Sequence, residues 1–170
     1  LHLSNDMSKS TLVIGASGVG TLFEWYDFYL YGSLADFIAR HFFSGVNETT
    51  GFIFALAAFA VGFIVRPIGA LIFGRIGDLS GRKNTFLVTL ALMGLSTFLV
   101  GVLPGYEAIG IAAPLLLVLL RIVQGLAIGG EFGGAIIYVA EHAPAAARGR
   151  HTSLIPTTAT CGLLLSLGVI

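Results

Sequence analysis

The residues of this sequence whose types and spacing could do chemistry are few, and most are charged groups set inside long apolar runs. Glu24 and Asp27 stand three residues apart, so a helix carries both on one face. Counted from Gly15 along a helix they lie roughly 14–18 Å on, near the midplane of a bilayer. A carboxylate at that depth costs about 2.5–3.5 kcal/mol on insertion scales, so it faces a cavity or a partner. Two like charges so placed oppose each other's ionisation, and such a pair can take up and release a proton. The alternative is structural: the two acids pair with Arg121 or another buried cation and hold helices together. Tyr31, four residues beyond Asp27, could hydrogen-bond a ligand, while Tyr26 and Tyr29 are explained by aromatic packing.

A second group follows a hundred residues later. Arg121, Gln124 and Gly125 share one helical face, and Glu131, seven residues beyond Gln124, returns to nearly the same face. A guanidinium suits bidentate recognition of a carboxylate substrate. Arg121 could equally tune Glu24 or Asp27, or pair with them structurally. Glu131 carries the same burial cost as Asp27 and is a site candidate for that reason. The series Gly125, Gly129, Gly130, Gly133, Gly134 has the spacing of small residues that let helices approach closely, and secondarily leaves room for a substrate. Arg66 has a structural reading, its aliphatic stem carrying the charge toward one membrane face.

The third feature is a charged, glycine-rich island, residues 74–84, between two nearly uncharged runs. Gly74, Gly77 and Gly81 permit close approach or positive φ. Asp78, Arg82 and Lys83 place ionisable groups where a chain emerges from lipid. The island is expected to be a tight turn between two membrane-spanning helices. His2, His41, His142 and His151 show no helical ligand spacing, and the single Cys161 reads as a small apolar residue, so neither a metal site nor a disulfide is expected. No glycine-rich phosphate loop followed by Lys-Ser or Lys-Thr occurs, and no nucleophile and base pair suggests an enzyme.

The elements that must position these groups are long apolar segments. The chain has 170 residues, 56% of them hydrophobic and 11% charged, with 13 Phe and 23 Gly. An ordinary soluble domain carries about a quarter charged residues. A net charge of zero argues against a nucleic-acid partner. Five spans are expected, over about 13–39, 51–73, 85–103, 115–140 and 152–170, the last incomplete. Pro104-Gly105-Tyr106-Glu107 marks a short turn and residues 141–150 a loop. An Asn47-Glu48-Thr49 sequon lies in the polar stretch after the first span. No cleavable signal peptide is visible, and the open apolar end at Ile170 suggests a fragment. Lys9, Arg75, Arg82, Lys83, Arg148 and Arg150 fall on one side of these spans and only Arg40 on the other, which puts the N-terminus in the cytoplasm.

The island resembles a known signature. Gly74, then Asp78, then Gly81-Arg82-Lys83 is similar to the cytoplasmic signature of the major facilitator superfamily between its second and third helices. Arg121-Ile122-Val123-Gln124-Gly125 resembles the superfamily's second signature, in its fourth helix. Phe23-Glu24-Trp25-Tyr26-Asp27-Phe28, with Tyr31-Gly32 and Gly129-Gly130-Glu131, is more narrowly similar to the bacterial metabolite:proton symporters. The resemblance implies an all-α bundle that is the first four to five helices of a twelve-helix transporter, whose remaining helices complete it. It implies uptake of a small organic acid or a zwitterion such as proline or betaine across the bacterial inner membrane, with the proton as coupling ion and no other cofactor. Glu24, Asp27, Tyr31, Arg121, Gln124 and Glu131 would then line the cavity. Gly74, Asp78, Gly81, Arg82 and Lys83 would form the cytoplasmic gate, with Arg82 the charge partner of Asp78. Arg75 fills a position where that pattern is usually apolar or small. A uniporter or exchanger on the same fold, or a non-transporting membrane interaction or sensor protein, are the alternatives.

Overall fold

The computed structural model describes residues 2–142 and 148–170, with the backbone alone for 2–14, 16–17, 83, 131–139, 141–142, 151 and 154–155. Among the described residues the regular structure is entirely helical: α1 His2–Ser33, α2 Ala35–Phe42, α3 Glu48–Ile64, α4 Arg66–Ser80, α5 Arg82–Val102, α6 Tyr106–Ile109, α7 Ala112–His142 and α8 Arg148–Val169. The chain divides into two compact units, one of residues 1–29 with 132–170 and the other of residues 30–131. Helices α1 and α7 contribute to both.

In the unit of residues 30–131, α3 and α4 make one rod with a break at Val65. Pro67 causes it, because proline supplies no N–H and its ring displaces the carbonyl one turn back. The rod nonetheless continues, since the Gly69 N–H reaches the Val65 carbonyl at 3.0 Å. Asn47 starts it as an N-cap, its Oδ1 accepting from the Thr50 N–H at 2.9 Å, so the asparagine of the sequon is used as a helix cap. At the far end Gly81 turns the chain with φ 92° and ψ 133°.

Among the described residues, three helices are long and apolar enough to cross a membrane: Glu48–Ser80, Asn84–Val102 and Ala112–Gly130. Their surfaces are inverted relative to a soluble protein. Leu71, Leu79 and Phe98 are 76, 79 and 65% exposed, while Thr85, Thr89, Ser96, Arg121 and Gln124 are buried. Water would penalise that distribution and lipid does not, so the protein is embedded in a membrane.

Two apolar clusters hold this unit. Tyr31, Ile38, Ala39, Phe42, Phe43, Ala55, Ala58, Ala113 and Leu117 form one, and Met93, Ala127 and Ile128 the other. Buried Ala35, Ile38, Ala39 and Phe42 recur on one face of α2, opposite an exposed Asp36–Arg40 pair at 3.1 Å. Buried Thr85, Thr89, Met93 and Ser96 recur along α5. Between the α3–α4 rod and α7 the packing is glycine on backbone. A Cβ on Gly125 would fall on the Gly62 carbonyl, one on Gly129 on the Arg66 carbonyl, and one on Gly69 on the backbone of Leu126.

In the other unit α8 packs on α1 in the same way. A Cβ on Gly162 would lie 2.9 Å from the Leu22 carbonyl oxygen and from the Tyr26 nitrogen. Thr21, Glu24 and Ser166 are buried there.

The main correction to the expected layout concerns residues 74–84. Only Gly81 is a turn, and the residues up to Ser80 are helical. The Glu48–Ser80 rod has 33 residues, and at 1.5 Å each that is roughly 50 Å, far more than a hydrocarbon core of about 30 Å. A helix need not end where lipid ends, so the charged residues extend the helix beyond the membrane instead of terminating it. For the same reason α1 begins well before residue 13, and its run toward residue 39 is interrupted at Leu34, with φ −93° and ψ 10°. Helix α7 begins before Pro114, a residue tolerated in a first turn. The expected turn at 104–107 is shorter, since Tyr106 already starts α6. The expected loop at 141–150 lies partly outside the described residues, and α8 runs from Arg148.

Candidate functional site

Arg121 is built into the site by its helix and by an aromatic support. It lies on α7 and is 7% exposed, and its Cζ stands 3.9 Å from the centroid of the Tyr31 ring. Tyr31 is 2% exposed. Its hydroxyl donates to the Ala55 carbonyl at 3.0 Å, and its ring stacks on Phe59 with centroids 5.2 Å apart. Ala55 and Phe59 are one turn apart on α3, so a single helical face supplies both supports. Phe59 meets Phe63 edge-on at 5.3 Å, and the Arg66 Cζ stands 4.0 Å over the Phe63 ring. The side chain expected to reach a ligand through its hydroxyl therefore gives that proton to the main chain and turns its ring to the cation.

One turn along α7, Gln124 is 2% exposed. Its Nε2 donates to Thr97 Oγ1 on α5 at 2.7 Å. Its Oε1 is buried with no hydrogen-bond partner among the described residues. A buried acceptor without a donor is costly, so this oxygen marks a point where a donor on a solute or a water gains most.

Glu24 and Asp27 belong to the unit of residues 1–29 and 132–170. Glu24 is 2% exposed and Asp27 partly buried on the same α1. Around them Trp25, Phe28 and Tyr29 pack on one another, with centroids 5.2–5.9 Å apart. The Trp25 indole Nε1 is buried without a hydrogen-bond partner among the described residues. The side chains of Glu131 and Lys83 lie outside the described residues.

At the α4–α5 junction Asp78 and Arg82 come within 3.8 Å as an i,i+4 pair across Gly81, with Asp78 73% exposed. The Gly81 N–H donates to the Gly77 carbonyl at 3.0 Å. Gly74 is exposed, and a Cβ there would meet nothing within 4 Å.

The structure thus joins Arg121 to Tyr31, Gln124 to Thr97 and Asp78 to Arg82. Phe59 and Thr97 were missed as candidates, because each is an ordinary apolar-helix residue until its partner is known. The α5 stripe of Thr85, Thr89 and Ser96 carried a readable signal, hydroxyls recurring at helical spacing in an uncharged span.

Buried charge and amides inside helices whose outer faces are apolar define a polytopic membrane protein with a polar interior, the class to which solute carriers belong. The sequence matches the sugar (and other) transporter family over residues 12–170. The chain belongs to that family of major facilitator transporters, a family of carriers and not of enzymes. It is 39% identical to the proline/betaine transporter of Escherichia coli over 97% of this chain and 33% of that protein. It is 42% identical to the shikimate transporter of the same organism, over 96% of this chain and 38% of the relative. It is 44% identical to the inner membrane metabolite transport protein YhjE, again from Escherichia coli, over 92% of this chain and 36% of the relative. The chain spans about a third of the length of these relatives. No solved structure gives a significant match.

Proposed function

We propose that this chain forms part of a proton-coupled symporter that takes up a small carboxylate-bearing solute, an organic acid or a zwitterion of the proline or betaine type, across the bacterial inner membrane. The observation that carries the reading is Arg121, a guanidinium 7% exposed in a membrane-spanning helix and next to a buried amide. A cation in that setting is retained for a ligand or a partner, and a carboxylate is the group whose geometry matches its fork. The relatives named for proline, betaine and shikimate support the solute class, since all three compounds carry a carboxylate.

Glu24 and Asp27 are the proposed proton-exchanging groups, and Gln124 the amide that reads the solute's polar atoms. Glu131 is the further candidate acid of the cavity. In this reading the proton is the coupling ion and no other cofactor takes part. Asp78, Gly81, Arg82 and Lys83, with Gly74, act at the cytoplasmic gate. The N-terminus lies in the cytoplasm, because the basic residues of the α4–α5 junction and of the start of α8 then fall on the inner face. Transport follows by alternating access, the halves of the complete transporter rocking about a midplane site. Coupling requires that proton and solute each favour one of the two access states.

The test is uptake of labelled proline, glycine betaine and shikimate by cells expressing the full-length transporter, with and without a protonophore. The variants are Asp27→Asn and Arg121→Gln. Uptake of at least one solute should fall with the protonophore, with Asp27→Asn, and with Arg121→Gln. Uptake that ignores the protonophore and Asp27→Asn would remove the symport mechanism, and wild-type uptake by Arg121→Gln would remove the carboxylate anchor.

A further inference from the structure

Contacts within the unit of residues 30–131 converge on Tyr31, and one of them is with a charged group. Its hydroxyl is tied to the Ala55 carbonyl at 3.0 Å, one face of its ring is stacked on Phe59 at 9° between planes, and Arg121 Cζ stands 3.9 Å from its centroid. Ala55 is wholly buried and Tyr31 is 2% exposed. A ring fixed at its tip and along its face cannot rotate, so the place of its π-cloud is set by α3.

A guanidinium on a long, flexible stem has many orientations, whereas a carboxylate must meet a planar fork at one of them. The face of a phenol ring carries partial negative charge and draws the cation to it. This contact takes up none of the guanidinium's N–H donors, as a carboxylate partner would. It therefore orients the group through its face and not through its N–H fork.

We propose that Tyr31 is a positioning residue, which orients Arg121 for a solute carboxylate through its ring face and does not bind the solute through its hydroxyl. The proposal rests on the carboxylate-binding role given to Arg121 above. The aromatic series Tyr31, Phe59, Phe63 is its frame, since Phe59 backs the ring and meets Phe63 edge-on at 5.3 Å.

The experiment is equilibrium binding of labelled proline, glycine betaine and shikimate to the purified full-length transporter, alongside its thermal unfolding. The variants are Tyr31→Phe, Tyr31→Leu, Phe59→Leu and Arg121→Gln. Loss of a buried cation–π contact predicts a Kd raised about 3- to 30-fold in Tyr31→Leu, read on the folded fraction. Tyr31→Phe keeps the ring and should bind within about threefold of wild type, although it loses the tie to Ala55 and some thermal stability. Phe59→Leu should fall between them. A residue serving only the fold would lower the unfolding temperature and leave the Kd of the folded protein unchanged in all three. That result overturns the proposal, as does a Tyr31→Phe variant that binds as poorly as Tyr31→Leu, since the hydroxyl would then be the binding group. Should Tyr31→Leu fail to fold, Tyr31→Phe and Phe59→Leu decide by the same split. Wild-type binding by Arg121→Gln, with Tyr31→Leu impaired, would remove the carboxylate anchor and the positioning role built on it. Wild-type binding by both Tyr31→Leu and Phe59→Leu, with Arg121→Gln impaired, would remove the positioning role alone.

Discussion

Among the described glycines some are packed on backbone and others face open space, and alanine substitution inside a helix should change stability in opposite directions at these two kinds. At Gly125 a Cβ falls on the Gly62 carbonyl, and the next neighbours are Val65 Cγ2 at 2.6 Å and the Gly62 carbonyl carbon at 2.8 Å. Ordinary contact begins near 3.4 Å, so the rod and α7 must part by at least about 0.6–0.8 Å. Two of the obstructing atoms are backbone and cannot swing aside. Overpacking of this kind costs about 1–3 kcal/mol. Against it stands the helix-forming gain of alanine over glycine, about 0.8–1.0 kcal/mol. The net effect of Gly125→Ala is a loss of up to about 2 kcal/mol. Gly69→Ala meets Leu126 backbone carbon atoms at 2.7 Å and should behave alike. At Gly94, inside α5, a Cβ meets nothing within 4 Å, so Gly94→Ala keeps only the gain. Thermal unfolding of the full-length transporter in detergent reads the order, at about 2–4 °C per kcal/mol for a chain of 150–250 residues and less for a longer one. Gly125→Ala and Gly69→Ala should melt below wild type and Gly94→Ala at or above it. If Gly125→Ala melted with Gly94→Ala, the backbone contact between the rod and α7 would not exist as described, and the reasoning from close approach would fail.

Further substitutions at three places test separate parts of the structure. Gly81→Ala puts a Cβ on a residue with φ 92° and ψ 133°, at a cost of order 1–3 kcal/mol, and Gly81→Asn should lose about as much, because that backbone lies outside the left-handed helical well asparagine tolerates; unfolding midpoints compare the two. Thr97→Val removes the acceptor of a 2.7 Å bond and leaves the buried Gln124 Nε2 without it, at about 1–3 kcal/mol, whereas adding Gln124→Leu to Thr97→Val should recover part of the loss in the same melting assay. Asp78→Asn breaks an exposed 3.8 Å pair that contributes about 0–1 kcal/mol, so the protein should melt near wild type while uptake falls; a parallel loss of both would make the residue structural and not a gate.

What could be read in the sequence was whatever one segment displays by itself. The uncharged run predicted at 85–103 became α5 at Arg82–Val102, because length and apolarity are local properties. The glycine series 125, 129, 130 announced a close approach, yet not its partner, since Gly62 and Gly69 have no special spacing relative to it. The charged island misled because a change of solvent along the chain was equated with a change of backbone, and a helix can cross that boundary unchanged. Tyr31 was legible as a tyrosine beside two acids. Its actual neighbours, Ala55, Phe59 and Arg121, come from two other helices, and no spacing within its own helix reports them.

The crossing that makes those glycines necessary also limits where the segment can move. A Cβ on Gly62 would lie 3.3 Å from the Arg121 carbonyl oxygen, so the backbone that carries the arginine is itself in contact with α3. The same helix holds the Ala55 carbonyl and Phe59, which fix Tyr31 against the guanidinium. Sliding α7 along α3 would drive Gly125 and Gly129 off the Gly62 and Arg66 carbonyls onto neighbouring side chains, and it would carry Arg121 away from its ring at once. Closely packed backbones have no intermediate spacing to relax into. Within the unit of residues 30–131 the arginine and its aromatic frame therefore behave as one body. Under the proposed alternating-access mechanism, a change of access would be taken up outside this contact, with Arg121 and Tyr31 travelling together.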